Sequence, residues 1–439
     1  MIFSLDIRRA RKGDCLLLHF ASENEPGLVI IDGGPKSVYQ PHLKPRLKEI
    51  KAARGLPEHE ALLVELLMVS HVDDDHIQGI LDLTKEELTA KQAHQAQMLN
   101  VQSFWHNSFD AIIDHDPKEL TASVKRQFGT AAMAGGGELP DMERFEVEEE
   151  SSEHPEVVSS GLKILASIEQ GFRLRQDVEG LGFRRNPEVG GKLIMAHENG
   201  KAFDIAPGLK FTVVGPMQPE LAALHQKHIK WLADLKKKGK SLPAALAAYV
   251  DKSVPNLSSL VVLAEFGGKC MLLTGDARGD KILEGLQLVG RLGPGKKSTM
   301  EIDLLKVPHH GSSNNLDDDF FERIIAKHYV FSGNGEHGNP EREAMEMLLQ
   351  ARGNADYTIH LTYPINEIDI KRKEHWNKEQ TKEKKRKTEN PKQDVRPSWS
   401  PKKHSLMAFF KDHKDFAKKV SIVKEGKPHV INLLDKLGF

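Results

Sequence analysis

Residues 62–79 read LLVELLMVSHVDDDHIQG, and this stretch decides which fold the sequence predicts. Its first eight residues form an almost entirely apolar run, which is typical of a buried β-strand. The run leads directly into His71, Asp73, Asp75 and His76, four potential metal ligands within six residues. A polar helix cap would explain one aspartate, because one carboxylate can accept the free N–H groups of a first helical turn. It would not explain the whole cluster. We therefore interpret the cluster as a metal site on a strand-to-helix turn, where alternate side chains face different ions.

The segments before this stretch have the pattern of an α/β domain. CLLLHF (residues 15–20) and LVIID (residues 28–32) are short apolar runs of the strand type, and the second ends in Asp32 followed by two glycines. Residues 41–55 have apolar positions at helical spacing. A strand–helix–strand order with a polar cluster at the end of a strand predicts the α/β (α+β) class.

Two later strands end in further polar residues. Residues 257–277 form a predicted hairpin, in which two apolar runs join at Gly267-Gly268 and the second run ends in Asp276. IDLLKVPHHG (residues 302–311) is another predicted strand, and it ends in His309 and His310. Ligands of α/β sheets collect at the carboxyl ends of the strands. Three strand ends rich in His and Asp therefore predict one shared site.

The composition excludes several classes of protein. Of the 439 residues, 39% are hydrophobic, which is enough for a sizeable core and argues against disorder of the whole chain. Two cysteines, Cys15 and Cys270, exclude a disulfide scaffold and a cysteine-rich zinc site. The net charge of −1 excludes a uniformly basic surface. No apolar run is long enough for a membrane span and no export signal is visible, so we expect a cytoplasmic protein without a membrane partner.

Composition also divides the chain into three parts. We expect a hydrolase core over residues 1–364 with an insertion at about residues 84–205, in which residues 138–156 carry nine acidic residues and one arginine. A basic linker or arm is predicted at residues 365–404, because residues 371–403 contain thirteen Lys/Arg and five Asp/Glu, a net charge of +8. Residues 405–439 are expected to form a hairpin that packs back on the core.

The order of the motifs IIDGG, SHVDDDHIQG, LLTGDA and KVPHHGS resembles the metallo-β-lactamase superfamily. The nearest resemblance is to the branch that contains the hydrolase domain of competence-type DNA-uptake channel proteins and its stand-alone cytoplasmic relatives. This resemblance implies a four-layer αβ/βα sandwich, here with an insertion and a basic C-terminal extension. It also implies an active site at one edge of the two sheets.

The resemblance implies a ligand set for two divalent metal ions. One ion would be held by His71, Asp73 and Asp276. The other would be held by Asp75, His76, Asp276 and one histidine of the 309–310 pair. We favour His310, because it directly precedes the glycine of the motif, and we place His309 beside the ligands. Asp32 would orient the side chains of the cluster.

This chain departs from the family pattern at two places. Many members carry histidine where Asp73 stands, and a ligand histidine where this chain has Asn256 and Ser258. The site is therefore richer in oxygen, which makes Mn²⁺ or Mg²⁺ candidates beside Zn²⁺. We expect Asn256 and Ser258 to contact substrate, together with His106 and Asn107 at the end of another predicted strand.

A two-metal site points to a phosphodiesterase, and most directly to a nuclease that acts on DNA. Two cations about 3.5–4 Å apart can activate water and stabilise both the attacking and the leaving oxygen. We expect Asp75 and Lys306 to be catalytic. Lys306 lies four residues before His310 on one strand face, where a cation would neutralise a phosphate. The basic segment would attract nucleic acid, and its Trp376 and Trp399 can stack on unpaired bases.

Two alternatives stay open. One is a different hydrolase on the same scaffold, which acts on lactones, thioesters or β-lactams. The other is a metal-binding interaction subunit without turnover, which contacts a protein partner through the acidic insertion or the basic tail. Stand-alone relatives of this type resemble parts of prokaryotic defence or mobile-element systems.

Overall fold

The computed structural model describes residues 1–22, 24–108, 111–112, 170–235, 258–389 and 391–439. Within these residues the chain combines helices with two mixed β-sheets, so the mixed α/β class expected from the sequence is confirmed. The acidic stretch at residues 138–156 and the residue Asn256 lie outside the described residues.

Fourteen strands are present in the described part of the chain. In chain order they are β1 Ile2–Ile7, β2 Leu16–Ala21, β3 Pro26–Ile31, β4 Leu62–Met68, β5 Leu99–Trp105, β6 Phe203–Ala206, β7 Leu209–Gly215, β8 Val261–Phe266, β9 Lys269–Leu273, β10 Met300–Lys306, β11 Ile324–Phe331, β12 Thr358–Leu361, β13 Val420–Ile422 and β14 Val430–Asn432.

The strands form a six-stranded and an eight-stranded sheet. The first sheet has the order β14-β1-β2-β3-β4-β5, with antiparallel pairs from β14 to β3 and parallel pairs from β3 to β5. The second has the order β13-β12-β11-β10-β9-β8-β7-β6, with parallel pairs from β13 to β9 and antiparallel pairs from β9 to β6. Each sheet therefore has a parallel block whose carboxyl ends lie along one edge.

Helices alternate with the strands. They are α1 Lys44–Ala53, α2 Asp74–Gln92, α3 Gln218–Leu235, α4 Gly279–Leu288, α5 Phe320–Arg323, α6 Arg342–Arg352, α7 Ile365–Glu389, α8 Pro401–His404, α9 Leu406–Asp412 and α10 Lys414–Ala417. Residues 170–181 are also helical. Short turns of helix occupy Tyr39–Leu43, Pro187–Val189, Pro308–Gly311, Ser313–Asn315 and Glu336–Gly338. No helix among the described residues is long and apolar enough to cross a bilayer.

Three apolar clusters hold these elements together. One contains residues from both sheets, such as Leu5 and Leu18 of the first and Val262 and Leu304 of the second. The opposite faces of the strands contribute to the other two, because successive strand residues point to opposite faces. The second cluster joins the first sheet to α1 and α2. The third joins the second sheet to α4, α6 and α9. The two sheets thus share one buried interface, and helices cover their other faces.

Residues 84–105, expected at the start of the insertion, form part of the first sheet and its helix. The helix α2 continues to Gln92, and β5 pairs in parallel with β4, so residues 84–105 belong to the first sheet and its helix. The side chain of Thr84 donates to the carboxylate of Asp177 at 2.9 Å, which ties residues 170–181 to α2.

The segment expected as a basic linker or arm contains the 25-residue helix α7. The carboxylate of Asp369 accepts hydrogen bonds from the backbone N–H groups of Leu406 and Met407, both at 2.8 Å. The indole of Trp376 stacks on His404 with ring centroids 4.2 Å apart, and the guanidinium of Arg396 lies 5.1 Å from the Trp376 ring centroid. Polar and aromatic contacts therefore fold this segment although few apolar residues are present, and the Trp376 ring packs within the protein.

The C-terminal segment packs on the core, but not as the expected hairpin. Strand β13 pairs with β12 at the edge of the second sheet, whereas β14 pairs with β1 at the edge of the first sheet. The two strands do not pair with each other, because each finds an open sheet edge as its partner. This crossing connection joins the two sheets.

Candidate metal centre

The polar ends of several strands from both sheets converge. From the first sheet, Asp32 follows β3 and the segment from Ser70 to His76 follows β4. From the second sheet, Asp276 follows β9 and His310 follows β10. Burial leaves His71, His76, Asp276 and His310 between 0% and 3% exposed. The cluster is therefore held inside the protein, where unpaired charge is costly.

Two glycines let the first turn of α2 approach the loop after β3. A Cβ atom at Gly79 would lie 2.0 Å from the carbonyl oxygen of Gly33, and one at Gly33 would lie 2.4 Å from the backbone nitrogen of Ile80. The backbone N–H of Gly33 donates to the carbonyl of His76 at 2.8 Å. This close approach brings the His76 ring against Asp32.

Three imidazoles present their Nε2 atoms to Asp276. The Nε2 atom of His76 lies 3.3 Å from Oδ1 of Asp276, and that of His310 lies 3.2 Å from the same oxygen. The Nε2 atom of His71 lies 3.8 Å from Oδ2 of Asp276. All three Nε2 atoms and Oδ1 of Asp276 are buried without a well-aligned hydrogen bond within the described residues. Buried polar atoms in proteins nearly always have a partner, so this arrangement points to a ligand between them.

The opposite nitrogen of each ring is held by a neighbour. The Nδ1 atom of His76 lies 2.8 Å from Oδ2 of Asp32, and that of His310 lies 2.9 Å from Oγ of Ser332. The Nδ1 atom of His71 lies 3.1 Å from Oγ of Ser70. An Nδ1 partner of this kind fixes the ring orientation and leaves Nε2 free to bind a metal.

The strained turn at the end of β10 brings both of its histidines to Asp276. His309 and His310 have φ values of 46° and 55°, a left-handed conformation that is unfavourable for residues other than glycine. The Asn339 side chain donates to the carbonyl of His309 at 3.2 Å, and that of Asn315 lies 3.0 Å from Nδ1 of His309. The Nε2 atom of His309 lies 3.8 Å from Oδ2 of Asp276.

The charges of the cluster shift the pKa values of its members. Burial opposes the charged form of His310, but Asp276 outweighs it and raises the pKa of His310 to about 9. Burial is likewise outweighed by Asp276 and Asp32 at His76, whose pKa lies well above its usual range. Burial and the charges of Asp75 and Asp276 raise the pKa of Asp73 to about 7. Histidines and a carboxylate that bind protons in this way are suited to exchange them for a cation.

The ligand atoms form two groups. One contains Asp14, His76, Asp276 and His310, and the other contains His71, Asp75 and His76, with all ligand atoms of a group within 4.8 Å of one another. His76 belongs to both groups. Imidazole nitrogens with carboxylate oxygens suit Zn²⁺ and Mn²⁺ alike. The residues present therefore fit a divalent metal site, while the number and identity of the ions follow from neither group.

Asp73 and Lys306 also lie next to the cluster. Oδ2 of Asp73 lies 3.7 Å from Nε2 of His71, but Asp73 belongs to neither ligand group. Lys306 is 1% exposed, and its Nζ lies 2.5 Å from Oδ2 of Asp14. The charge of Lys306 is thus compensated inside the protein, which differs from the expected role as a phosphate-neutralising cation.

The residues expected to contact substrate have structural positions. His106 is fully buried, and Asn107 donates to and accepts from the backbone of Ile194, at 2.7 and 2.9 Å. Burial lowers the pKa of His106 to about 3, and Arg185 and Arg175 add to this shift. Ser258 is buried two residues before Leu260, whose N–H donates to the carbonyl of Ser70 at 2.8 Å. His106 is thus enclosed by the protein and Asn107 fixes the backbone at Ile194, while Ser258 lies beside the His71 segment; contact of these residues with substrate stays a prediction.

Three side chains that contact the cluster were not identified as site residues from the sequence. They are Asp14 before β2, Ser70 after β4 and Ser332 after β11. A signal for Asp14 was present, because the Gly13-Asp14 pair directly precedes the apolar run of residues 15–20. A serine at a strand end is too common to stand out in a single sequence.

Comparison with known proteins finds local similarities, and no family model matches the chain. A stretch of 100 residues is 33% identical to ComE operon protein 3 of Bacillus subtilis (strain 168) and covers 22% of this chain and 12% of that protein. A stretch of 73 residues is 33% identical to Microtubule-associated protein 1A of Rattus norvegicus and covers 16% of this chain and 3% of that protein. A stretch of 57 residues is 42% identical to Microtubule-associated protein futsch of Drosophila melanogaster and covers 13% and 1%. The chain thus spans a small part of each of these relatives.

Proposed function

We propose that this chain is a metal-dependent phosphodiesterase that acts on DNA, built on the four-layer αβ/βα sandwich of the metallo-β-lactamase type. The observation that carries the proposal is the convergence of the Nε2 atoms of His71, His76 and His310 on the carboxylate of Asp276. A carboxylate has two oxygens that could each bind a cation, so Asp276 would allow two cations to lie side by side, as in two-metal phosphoryl-transfer sites. The buried interface between the two sheets and the helices on their outer faces support the fold.

His71, Asp75, His76, Asp276 and His310 are the residues that would hold the metal ions, with Asp73 at the edge of the set. Bound divalent cations would supply an acidified water and neutralise the charge that develops on phosphoryl oxygens.

The side chains of the protein itself have three tasks in this proposal. Asp32, Ser70 and Ser332 hold the rings of His76, His71 and His310 so that Nε2 points to the centre. Asp75 is 20% exposed and His309 is 27% exposed, so both face the side from which substrate would enter. His309, whose Nε2 faces Asp276, is the imidazole placed to hold a proton for the leaving oxygen.

The choice of DNA rests on the charge of α7 and the segment that follows it. The exposed run Lys384, Lys385, Arg386 and Lys387 places four positive charges on one turn of α7. The first turns of α7 pack on residues 335–338, where Nε of Arg372 donates to the carbonyl of Gly338 at 3.0 Å. Residue Asn339 of the same loop contacts His309. The basic helix therefore starts next to the candidate metal centre, and a phosphate backbone bound along it would lead there.

Two alternatives make different predictions for one experiment. A lactonase, thioesterase or β-lactam hydrolase would bind metal and cleave an uncharged carbonyl substrate. A metal-binding interaction subunit would bind metal without turnover.

The resemblance of the motifs favours a place in a prokaryotic defence or mobile-element system, which the genomic neighbours of the gene would test.

The test uses metal-free protein with one divalent cation at a time. Plasmid DNA, single-stranded DNA, RNA and bis(4-nitrophenyl) phosphate are incubated with Mn²⁺, Mg²⁺ or Zn²⁺, beside a lactone, a thioester and a β-lactam. The proposal expects metal-dependent cleavage of the phosphodiesters. Cleavage of a carbonyl substrate alone, or metal binding without any turnover, would contradict it.

A further inference from the structure

Asp14 and Lys306 form a buried ion pair between the two sheets. Asp14 precedes β2 of the first sheet, and Lys306 ends β10 of the second. Nζ of Lys306 lies 2.5 Å from Oδ2 of Asp14, and both side chains are nearly inaccessible to solvent, at 1% and 2% exposure. The pair is therefore a direct contact between the two sheets.

Both members of the pair contact the metal centre from behind. Nζ of Lys306 donates to the carbonyl of Gly275 at 3.2 Å and lies 4.0 Å from Oδ1 of Asp276. Oδ1 of Asp14 lies 3.6 Å from Nδ1 of His310, and Oδ2 lies 4.0 Å from Nδ1 of His76. These are the ring nitrogens that face away from the centre. Asp14 would have to leave Lys306 to reach a metal on the Nε2 side.

The backbone of Lys306 is also fixed next to the ligands. The hydroxyl of Thr274 donates to the carbonyl of Lys306 at 2.7 Å, so the ends of β9 and β10 are tied together next to Asp276. The ligands His71, Asp75 and His76 come from the first sheet, and Asp276 and His310 come from the second. The distance between these two halves depends on contacts that cross between the sheets, and Asp14–Lys306 is the charged contact nearest to the ligands among the described residues.

We propose that Asp14 and Lys306 are positioning residues, whose ion pair sets the distance and orientation between the two halves of the metal centre. This inference rests on the proposed metal site. It differs from a role of Lys306 on the substrate, because a lysine that is buried and paired with a carboxylate contacts no phosphate. It also differs from a role of Asp14 as a metal ligand, because Asp14 faces the Nδ1 atoms of His76 and His310.

The design of the test follows from the energetics of buried ion pairs. Removal of one partner leaves a buried charge without compensation, which unfolds many proteins, whereas replacement of both partners by apolar residues of similar size is often neutral. The informative variant is therefore the double substitution Asp14→Leu with Lys306→Met. A control is Asp6→Leu with Arg8→Met and Arg46→Met, which replaces another buried ionic group, in which Asp6 of β1 contacts Arg46 of α1 at 2.6 Å and Arg8 at 3.2 Å.

Three quantities are measured for the double variant and its control: the melting temperature, the affinities for Mn²⁺ by calorimetry, and the spin-coupled signal of a Mn²⁺ pair by electron paramagnetic resonance. We expect Asp14→Leu/Lys306→Met to fold and to bind the weaker Mn²⁺ ion about 10–100-fold less tightly, as is usual for residues that orient ligands, with loss of the coupled signal. The control should keep both Mn²⁺ affinities and the signal. Turnover of bis(4-nitrophenyl) phosphate should fall in kcat with little change in KM.

Three results would overturn the proposal. The first is wild-type Mn²⁺ affinity with an intact coupled signal in Asp14→Leu/Lys306→Met. The second is an equal loss of Mn²⁺ affinity in the control, which would mean that any lost buried ion pair has this effect. A rise in KM with unchanged Mn²⁺ binding would assign Lys306 to the substrate and would also contradict it. Because Mn²⁺ binding is measured without substrate, a wild-type protein that binds Mn²⁺ but cleaves no phosphodiester would refute the proposed function alone.

Discussion

His76 is held between two carboxylates that contact its two nitrogens separately. Nδ1 lies 2.8 Å from Oδ2 of Asp32, and Nε2 lies 3.3 Å from Oδ1 of Asp276. Asp32 in turn accepts hydrogen bonds from the N–H and the hydroxyl of Ser70, both at 2.7 Å. This chain of contacts fixes the ring, so that Nε2 faces Asp276. The arrangement is that of a metal ligand oriented by a carboxylate behind it.

Adjacent aspartates in the first turn of α2 should differ in their effect on metal binding. Asp75 belongs to a ligand group, whereas Asp74 lies 3.5 Å from the side-chain amide of Gln170. Asp75→Asn should weaken Mn²⁺ binding by more than about 100-fold, since loss of even an outer partner of a ligand costs about 10–100-fold. Asp74→Asn removes the same charge one residue away and should retain the wild-type affinity. Calorimetry and metal analysis of the dialysed proteins measure both. Equal losses in the two variants would mean that only the local charge matters.

Mn²⁺ should support faster phosphodiester cleavage than Zn²⁺. The cluster has three aspartates, Asp73, Asp75 and Asp276, beside the imidazoles, and oxygen ligands favour harder cations. Zn²⁺ should nevertheless bind more tightly, because affinity follows the general order of divalent metals. Activity and occupancy are therefore measured on the same metal-replaced samples. Turnover with Zn²⁺ alone would show that the imidazoles decide the preference.

The basic run at residues 384–387 should increase the affinity for nucleic acid without a role in the chemistry. Its four cations are exposed on α7. Replacement of all four by glutamine should make the slope of log affinity against log salt less steep by up to about 3–4, since each phosphate contact adds about 0.7–0.9. The apparent KM for DNA should rise, and hydrolysis of bis(4-nitrophenyl) phosphate should be unchanged.

A control for this experiment removes the same charge elsewhere. Lys411, Lys414, Lys424 and Lys427 are also exposed, and they lie outside α7. Their replacement by glutamine should leave the salt slope close to that of the wild type. If both variants lost the same slope, binding would depend on the net charge and not on α7.

A chain of three imidazoles should make the stability depend on pH. The Nε2 atom of His360 in β12 lies 3.1 Å from Nδ1 of His328, and its Nδ1 atom lies 2.9 Å from Nε2 of His429. Burial, together with these two neighbours, lowers the pKa of His360 to about 2. Between pH 2 and the unfolded value of about 6.5, the unfolded chain binds more protons, so stability falls as the pH drops below about 6.5.

Replacement of His360 by asparagine should remove the contribution of this imidazole to the pH dependence. The slope of the unfolding free energy against pH should fall by up to about 1.4 kcal/mol per pH unit, the value for one proton. Urea unfolding of metal-free protein between pH 4.5 and 7 measures the slope. His59→Asn, which changes an exposed imidazole, serves as the control. Parallel stability curves for His360→Asn and the wild type would be incompatible with this explanation.

Where a strand and its ligands lie in one continuous segment, the sequence was enough to predict both. The run through β4 into His71–His76 is of this kind, because apolar spacing and ligand spacing are both local properties. The partners that meet across the two sheets were not predictable in the same way. Lys306 appears in the sequence as a strand-end cation, and only the fold brings it against Asp14. The C-terminal strands β13 and β14 are adjacent in sequence, yet they join different sheets because each sheet has an open edge. The basic composition of residues 365–404 predicts an arm, whereas the structure has the helix α7 there. Tertiary contacts of Asp369 and Trp376 hold this helix, and composition alone does not reveal them.

The most direct test of the account is the hydrolysis of bis(4-nitrophenyl) phosphate by metal-free protein to which Mn²⁺ is added back in steps. The account predicts no turnover without metal, a rise in rate that saturates as the centre fills, and a rate at least about 100-fold lower for Asp75→Asn than for Asp74→Asn, in line with the loss of a metal that supplies several kcal/mol of transition-state stabilisation. A wild-type protein that binds Mn²⁺ and remains without turnover, or equal rates for the two variants, would contradict it.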